Sequence, residues 1–131
     1  MSLNESERNT LVALYIDKAE RIMHEAEIAM DAESWGMASN RLYYALFHAV
    51  TALFVFDGIT VGSHRGVKAK FGQHYVMTKK FTTDDAKTIA HLETLRDKAD
   101  YNIMFIAEAK DVLPHVDNIK SLIKTIENYV K

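Results

Sequence analysis

The amino-acid sequence predicts an all-α fold, an up-and-down bundle of four to five helices. Three observations carry that expectation. One Pro and five Gly in 131 residues leave little punctuation for a many-stranded sheet. No segment alternates apolar and polar residues as a half-buried strand does. Apolar residues recur instead at the three- and four-residue spacing of a helix face. The length is that of one domain, so residues 1–131 are read as a single helical unit with no internal repeat, low-complexity tract or linker.

The first helix is expected from about Asn4 to Ala32. Asn4 with Glu7 has the form of a capping box. Leu11, Leu14, Tyr15, Lys18, Ile22, Ala26 and Ala29 form its inward stripe, and charges fill the rest. The second helix begins at Ser34 or Trp35 and ends at Asp57-Gly58, with Gly58 placed to leave the helix in a left-handed conformation. After the loop ITVGS, a third helix spans about His64 to Val76, although Gly66 and Gly72 each weaken it by roughly 1 kcal/mol against Ala. A fourth opens at the cluster Thr83-Asp84-Asp85 and continues through AKTIAHLETLRDKADY. NIMFIAEAK is less regular. The last helix starts at Asp111 and runs to about Val130, which places Pro114 in the first turn, where its missing N–H costs little.

Composition narrows the function classes. The chain is 48% hydrophobic and 26% charged, as in an ordinary globular protein. It has no cysteine, which rules out disulfides and thiolate metal sites. The net charge of −2 excludes a broad basic field, so any RNA contact must be local. The start SLNESERNT is polar and acidic, unlike a secretory signal. The longest apolar run is about 15 residues, short of the roughly 20 a membrane span needs. A cytoplasmic protein without membrane contact is expected.

The second helix carries the candidate chemistry. From Leu42 to Phe56 only His48 and Thr51 interrupt a run of apolar and aromatic residues. Such a helix is central or part of a buried interface. Seven residues are about 700° of helix, so Arg41 and His48 share a face about 10 Å apart along the axis, with Tyr44 between them. A buried, unpaired Arg is costly. Arg41 therefore meets an acid, with Asp97 and Asp100 the candidates, or reaches water, or serves a ligand. In the first case His48 is a satisfied core histidine. In the last, the guanidinium forks onto phosphate oxygens and the imidazole moves a proton near neutral pH. Together they would turn an RNA 2′-hydroxyl against the adjacent phosphate without a metal. A second copy across a two-fold axis would complete the site.

At these residues the chain resembles the HEPN domain family. NRLYYALFHAVTALF is similar to the family's central helix, Gly62-Ser63-His64-Arg65-Gly66-Val67 to its "H-x-G-V" segment, and Arg96-Asp97-Lys98-Ala99-Asp100-Tyr101 to its "R-x-x-A-D-Y" segment. An amphipathic last helix follows in the expected place. The likeness covers roughly Ala32 to Lys131. It implies a dimerising helical bundle in which Arg41 and His48 form a metal-independent endoribonuclease site, with no cofactor. It also implies a toxin partnered by a small nucleotidyltransferase-like antitoxin. Nuclease members often carry a polar residue after the Arg; Leu42 stands there, with Asn40 before the Arg. Toxins modified by their partner carry Tyr two residues after the His; Val50 stands there, so that modification is not carried over. The alternative implied is a non-catalytic HEPN module that binds a nucleotidyltransferase-like protein or a nucleotide.

Around this pair, Asn40, Tyr44 and Asp100 are the candidate supporting residues, with Asp100 first choice to orient Arg41 or His48. Tyr101 would help hold the fourth helix against the second. His64, Arg65, Lys68 and Lys70, followed by His74, Lys79 and Lys80, make a locally basic segment that either contacts an RNA backbone or is a solvated face. The six histidines are scattered and lack metal-ligand spacing, so no metal site is expected. Asp84-Asp85 read as a helix start, and no phosphate-binding glycine loop is present. Tyr43, Phe47 and Phe54 are expected in the core, and Trp35 and Met37 in the core or an interface.

Overall fold

The computed structural model describes residues 3–60 and 64–131, with the side chains of all but His64 and Arg65. Five α-helices and no strand occur among the described residues: α1 Glu5–Asp31, α2 Trp35–Asp57, α3 His64–Phe71, α4 Thr83–Tyr101 and α5 Ala109–Tyr129. The expected helical bundle is present. Most of the ITVGS loop and the Gly62-Ser63 part of the "H-x-G-V" segment lie outside the described residues.

α1 starts as expected. The Asn4 side chain accepts from the Glu7 amide at 2.8 Å, and the Glu7 carboxylate accepts from the Asn4 amide at 2.9 Å. Its inward stripe differs from the expectation. Val12, Ala19, Ile22, Ala26 and Ala29 are buried, whereas Leu14 is 58% exposed and Lys18 is also in solvent. At 100° per residue Leu14 and Lys18 lie about 120° and 80° round the helix from Ala26, past the edge of the buried face, while Val12, Ala19, Ile22 and Ala29 fall within about 60° of it. α1 doubles back through Ala32–Ser34, where Glu33 takes a left-handed φ of 56°.

α2 is the central helix. It packs against α1, α4 and α5, and its buried residues include Leu42, Tyr43, Leu46, Val50, Leu53 and Phe54. The apolar character of this helix is thus consumed within one protomer and does not by itself demand a second copy. Phe47 departs from the core expectation. It is only partly buried, at the edge of a small gap lined by Tyr43, Leu46, Val50, Val67 and Ile89. Trp35 packs on the core edge, and Met37 is 60% exposed. Gly58 ends α2 at φ 71°, and the Ile59 amide closes the cap on Phe54 O at 2.8 Å.

α3 continues into a π-helical turn, Gly72–Val76, in which the Met77 amide reaches Gly72 O at 3.0 Å. The expected helix to Val76 is therefore present, with a wider last turn. Tyr75 in that turn is fully buried; its hydroxyl donates to Asp57 Oδ2 at 2.7 Å. α4 starts at Thr83 as expected, with the residue before it as its cap. Thr82 is the cap, bonded reciprocally with Asp85 at 3.0 and 3.1 Å. After α4, Phe105 packs inward while Ile103, Met104 and Ile106 stand in solvent. α5 begins at Ala109, not Asp111, because Asp111 is the third helical residue and reaches back to the Glu108 amide at 2.9 Å. Pro114 consequently lies inside the helix, in its second turn, and not in the first. The carbonyl it leaves without an amide partner belongs to Lys110, an exposed residue, so water satisfies it at little cost.

Candidate functional site on the second helix

Met37, Arg41, Tyr44 and His48 follow one another at four-, three- and four-residue steps, the stripe of α2 that its neighbours leave least covered. Arg41 is held at the edge of the bundle with its side chain 32% exposed. The acid it meets is neither Asp97 nor Asp100 but Glu25 of α1, whose Oε1 accepts from Nη1 at 3.0 Å. α1 and α2 run antiparallel, so this acid faces Arg41 from sixteen positions earlier in the chain. Asn40 Oδ1 accepts from Arg41 Nε at 3.0 Å and from Nη2 at 2.8 Å. The amide of Asn40 in turn donates to Asp100 Oδ2 at 2.9 Å. Asp100 thus bears on Arg41 through Asn40, and three of the named residues, Asn40, Arg41 and Asp100, form one chain of hydrogen bonds.

Tyr44 lies beside the Arg41 guanidinium, 5.7 Å from its ring centre. A second guanidinium, that of Arg96 on α4, is also 5.7 Å from the Tyr44 ring. Arg96 is only 8% exposed. Its guanidinium sits 4.4 Å over the Tyr43 ring and 5.8 Å from that of Tyr101, and its Nη2 pairs with Asp97 at 3.1 Å. Burial works against this charge, but Asp97 and the three tyrosines outweigh it and hold the Arg96 pKa above its ordinary value. Burial pushes the Tyr43 hydroxyl up, against the pull of Arg96. The sequence places Arg96 only in the "R-x-x-A-D-Y" segment and gives it no role in the site. The signal was there: Ile89, Leu92 and Arg96 fall on one helical stripe, so an arginine occupies a core position.

His48 is half-buried one turn beyond Tyr44. Its ring stacks on Tyr15 of α1 with centres 6.0 Å apart and meets Phe47 edge-on at 5.7 Å, and its Nδ1 is closed off from solvent. Tyr15, read from the sequence only as part of the α1 stripe, is therefore a wall of the histidine site.

Within the basic segment, Lys68 is exposed and pairs with Glu93 of α4 at 3.7 Å, and Lys70 is half-buried. The side chains of His64 and Arg65 lie outside the described residues. Two of the scattered histidines do approach each other: His91 of α4 and His115 of α5 have ring centres 6.0 Å apart. No third His, Asp or Glu joins them in a metal-holding group among the described residues.

Among the described residues Arg41 pairs with Glu25 and is tied through Asn40 to Asp100. A phosphate approaching Arg41 must therefore displace or outcompete Glu25. An exposed pair of this kind contributes about 0.2–1 kcal/mol, so a bidentate phosphate can replace it. No helix among the described residues is long and apolar enough to cross a membrane.

The chain is similar to a UPF0332 protein of Thermotoga maritima, 26% identical over 126 residues that make up 96% of each chain. It is 31% identical over 130 residues to MJ0605 of Methanocaldococcus jannaschii, a protein named as a candidate toxin, covering 95% of this chain and 96% of that one. A second protein of that organism so named, MJ0142, is 29% identical over 87 residues, covering 66% of this chain and 59% of its own length. Residues 12–129 match the HEPN domain. With a central α2 bearing Arg41 and His48, and an α4 whose Arg96 and Asp100 reach back to it, the chain belongs to the HEPN domain family.

Proposed function

We propose that this chain is the toxin of a HEPN/nucleotidyltransferase-type toxin–antitoxin system and that, as a homodimer, it cuts RNA without a metal through Arg41 and His48. The observation that carries the reading is Arg41, a guanidinium fixed by Asn40 and Glu25 at the open edge of α2 and on the same stripe as His48. The names of the relatives in Methanocaldococcus jannaschii support the toxin role. In this scheme Arg41 holds the non-bridging phosphate oxygens. His48 of one copy takes the proton from the 2′-hydroxyl, whose oxygen bonds to phosphorus. His48 of the second copy protonates the leaving 5′-oxygen as the P–O bond breaks. The products are a 2′,3′-cyclic phosphate and a 5′-hydroxyl. Leu14, Ile28 and Met37, 58%, 56% and 60% exposed, lie on the outer faces of α1 and α2 around this stripe and suit a second copy. Lys68 and Lys70, with His64 and Arg65, guide the RNA backbone, and the antitoxin is a nucleotidyltransferase-like protein.

One observation favours the second reading, a non-catalytic module that binds such a partner or a nucleotide. His48 is wedged between Tyr15 and Phe47 with Nδ1 shut off from solvent, and the residue after Arg41 is the fully buried Leu42. Purified chain is therefore incubated with structured and unstructured RNA in EDTA, beside His48→Ala and Arg41→Lys. The nuclease reading expects cutting by wild type alone, since a positioned acid–base group contributes about 10²–10⁴-fold and an ammonium cannot reproduce the bidentate fork. Absence of cutting by wild type hands the site to the binding reading; equal cutting by His48→Ala places the chemistry elsewhere.

A further inference from the structure

We propose that Arg96 is a positioning residue of this site: its buried guanidinium fixes the Tyr44 ring from the α4 side and through it the attitude of Arg41. The proposal rests on the ribonuclease reading for its consequence but not for its geometry. Two guanidiniums, Arg41 and Arg96, each stand 5.7 Å from the centre of the Tyr44 ring. They approach from different helices, and Tyr44 is the ring they share. Arg96 also lies 4.4 Å over Tyr43, which is 5% exposed and anchored in the core. The Tyr43 and Tyr44 rings meet edge-on with centres 5.1 Å apart. Core packing therefore fixes Tyr43, Tyr43 and Arg96 fix Tyr44, and Tyr44 bounds the space open to the Arg41 fork.

Asp97 and three tyrosine rings favour the charged Arg96, but its guanidinium is not fully satisfied. Burying a guanidinium removes its hydration, and here it meets a single carboxylate, that of Asp97, whose side chain is 53% exposed. Arg96 Nε is buried with no hydrogen-bond partner among the described residues. A buried arginine whose guanidinium lies over Tyr43 and beside Tyr44, the ring next to the candidate phosphate ligand, is placed to act as a fixture of the site.

The test compares Arg96→Met and Arg96→Lys, each in the wild-type chain and in a Tyr44→Leu background. Positioning predicts that Arg96→Met, assayed well below its melting temperature, cuts RNA with a kcat about 5- to 30-fold lower, the span expected for a partly desolvated cation–ring contact. KM should change little, Arg96→Lys should recover part of the loss, and Arg96→Met should have no further effect once Tyr44 is Leu. A kcat loss that persists in the Tyr44→Leu background, or that tracks a fall in melting temperature, overturns the proposal. A second readout stands apart from RNA cleavage. The Arg41 Nε–H, bonded to Asn40 Oδ1, gives an NMR signal close to the Tyr44 ring current. Arg96→Met should shift that signal, whether or not wild type cuts RNA; an unmoved signal overturns the proposal, while wild type failing to cut with a moved signal overturns only the nuclease reading.

Discussion

Asp57, the last residue of α2, gathers two phenols at the end of the bundle away from Arg41. Tyr75 of the π turn and Tyr129 of α5 donate to the same Oδ2 at 2.7 and 2.9 Å. Tyr75→Phe should cost about 1.5–3 kcal/mol, the span for a hydrogen bond to a charged group, measured by denaturant unfolding. Burial, followed by the Asp57 carboxylate, pushes the Tyr129 hydroxyl up to about 12 and that of Tyr75 higher still. Both phenols hold their protons more tightly folded than unfolded. Their contribution is therefore complete below the unfolded tyrosine pKa near about 10 and is lost as pH rises through about 12. Thermal melts from pH 8 to 12 should show stability falling above pH 10, and less steeply in Tyr75→Phe. Nothing in the sequence advertised this cluster, because its members lie 18 and 72 positions apart. The Arg41 stripe was legible since one helix carries it, and Asp100 was legible from the "R-x-x-A-D-Y" pattern. Glu25 and Tyr15 were not, because their pairing depends on how α1 and α2 are set against each other.

The helices themselves were largely legible because caps and periodicity are local. The start of α1 at Asn4 and the end of α2 at Gly58 follow from side chains within four residues of each terminus. The misses have equally local causes. At α5 an aspartate in the third helical position was taken for the start. At α1 Leu14 and Lys18 lie past the edge of the buried face, and Val12 and Ala19 complete it. Core placement is harder, since a helix apolar nearly all round does not say which side its neighbours leave open. Phe54, 1% exposed, and Phe47, only partly buried, make that distinction measurable. Phe54→Ala should cost about 3–5 kcal/mol and Phe47→Ala clearly less, because water already reaches its site. Where α1 meets α5, burial and then the neighbouring Glu20 hold the Glu127 carboxyl above its usual pKa. Such a carboxyl favours the fold only while protonated, so its charged form opposes folding at neutral pH. Glu127→Gln should stabilise the protein by about 0.5 kcal/mol at pH 7, a gain that vanishes below pH 4 in parallel melts.

The molecule as a whole places one stripe of α2 at its edge and spends the rest of that helix on its core. The proposed dimer would therefore form through the surface around the stripe. Sedimentation at micromolar concentration should show a dimer, and Ile28→Asp with Met37→Asp should return it to a monomer with unchanged helix content. A wild-type monomer leaves the composite site without its second histidine. Arg41 is already paired with Glu25 and tied through Asn40 to Asp100 in the isolated protomer. A charge of −2 over the chain adds no general attraction for RNA. In the proposed reaction recognition would depend on the Arg41 fork and the lysines of α3, and cleavage should weaken with salt less steeply than in proteins that read RNA through a broad basic face. The chemistry is most directly tested by the ends it leaves. A defined oligoribonucleotide is treated with wild type in EDTA and its fragments are weighed by mass spectrometry. Attack by the RNA's own hydroxyl predicts 2′,3′-cyclic phosphate and 5′-hydroxyl ends from wild type and uncut substrate from His48→Ala; 3′-hydroxyl ends with 5′-phosphates, or the same fragments from His48→Ala, would contradict the assignment of Arg41 and His48.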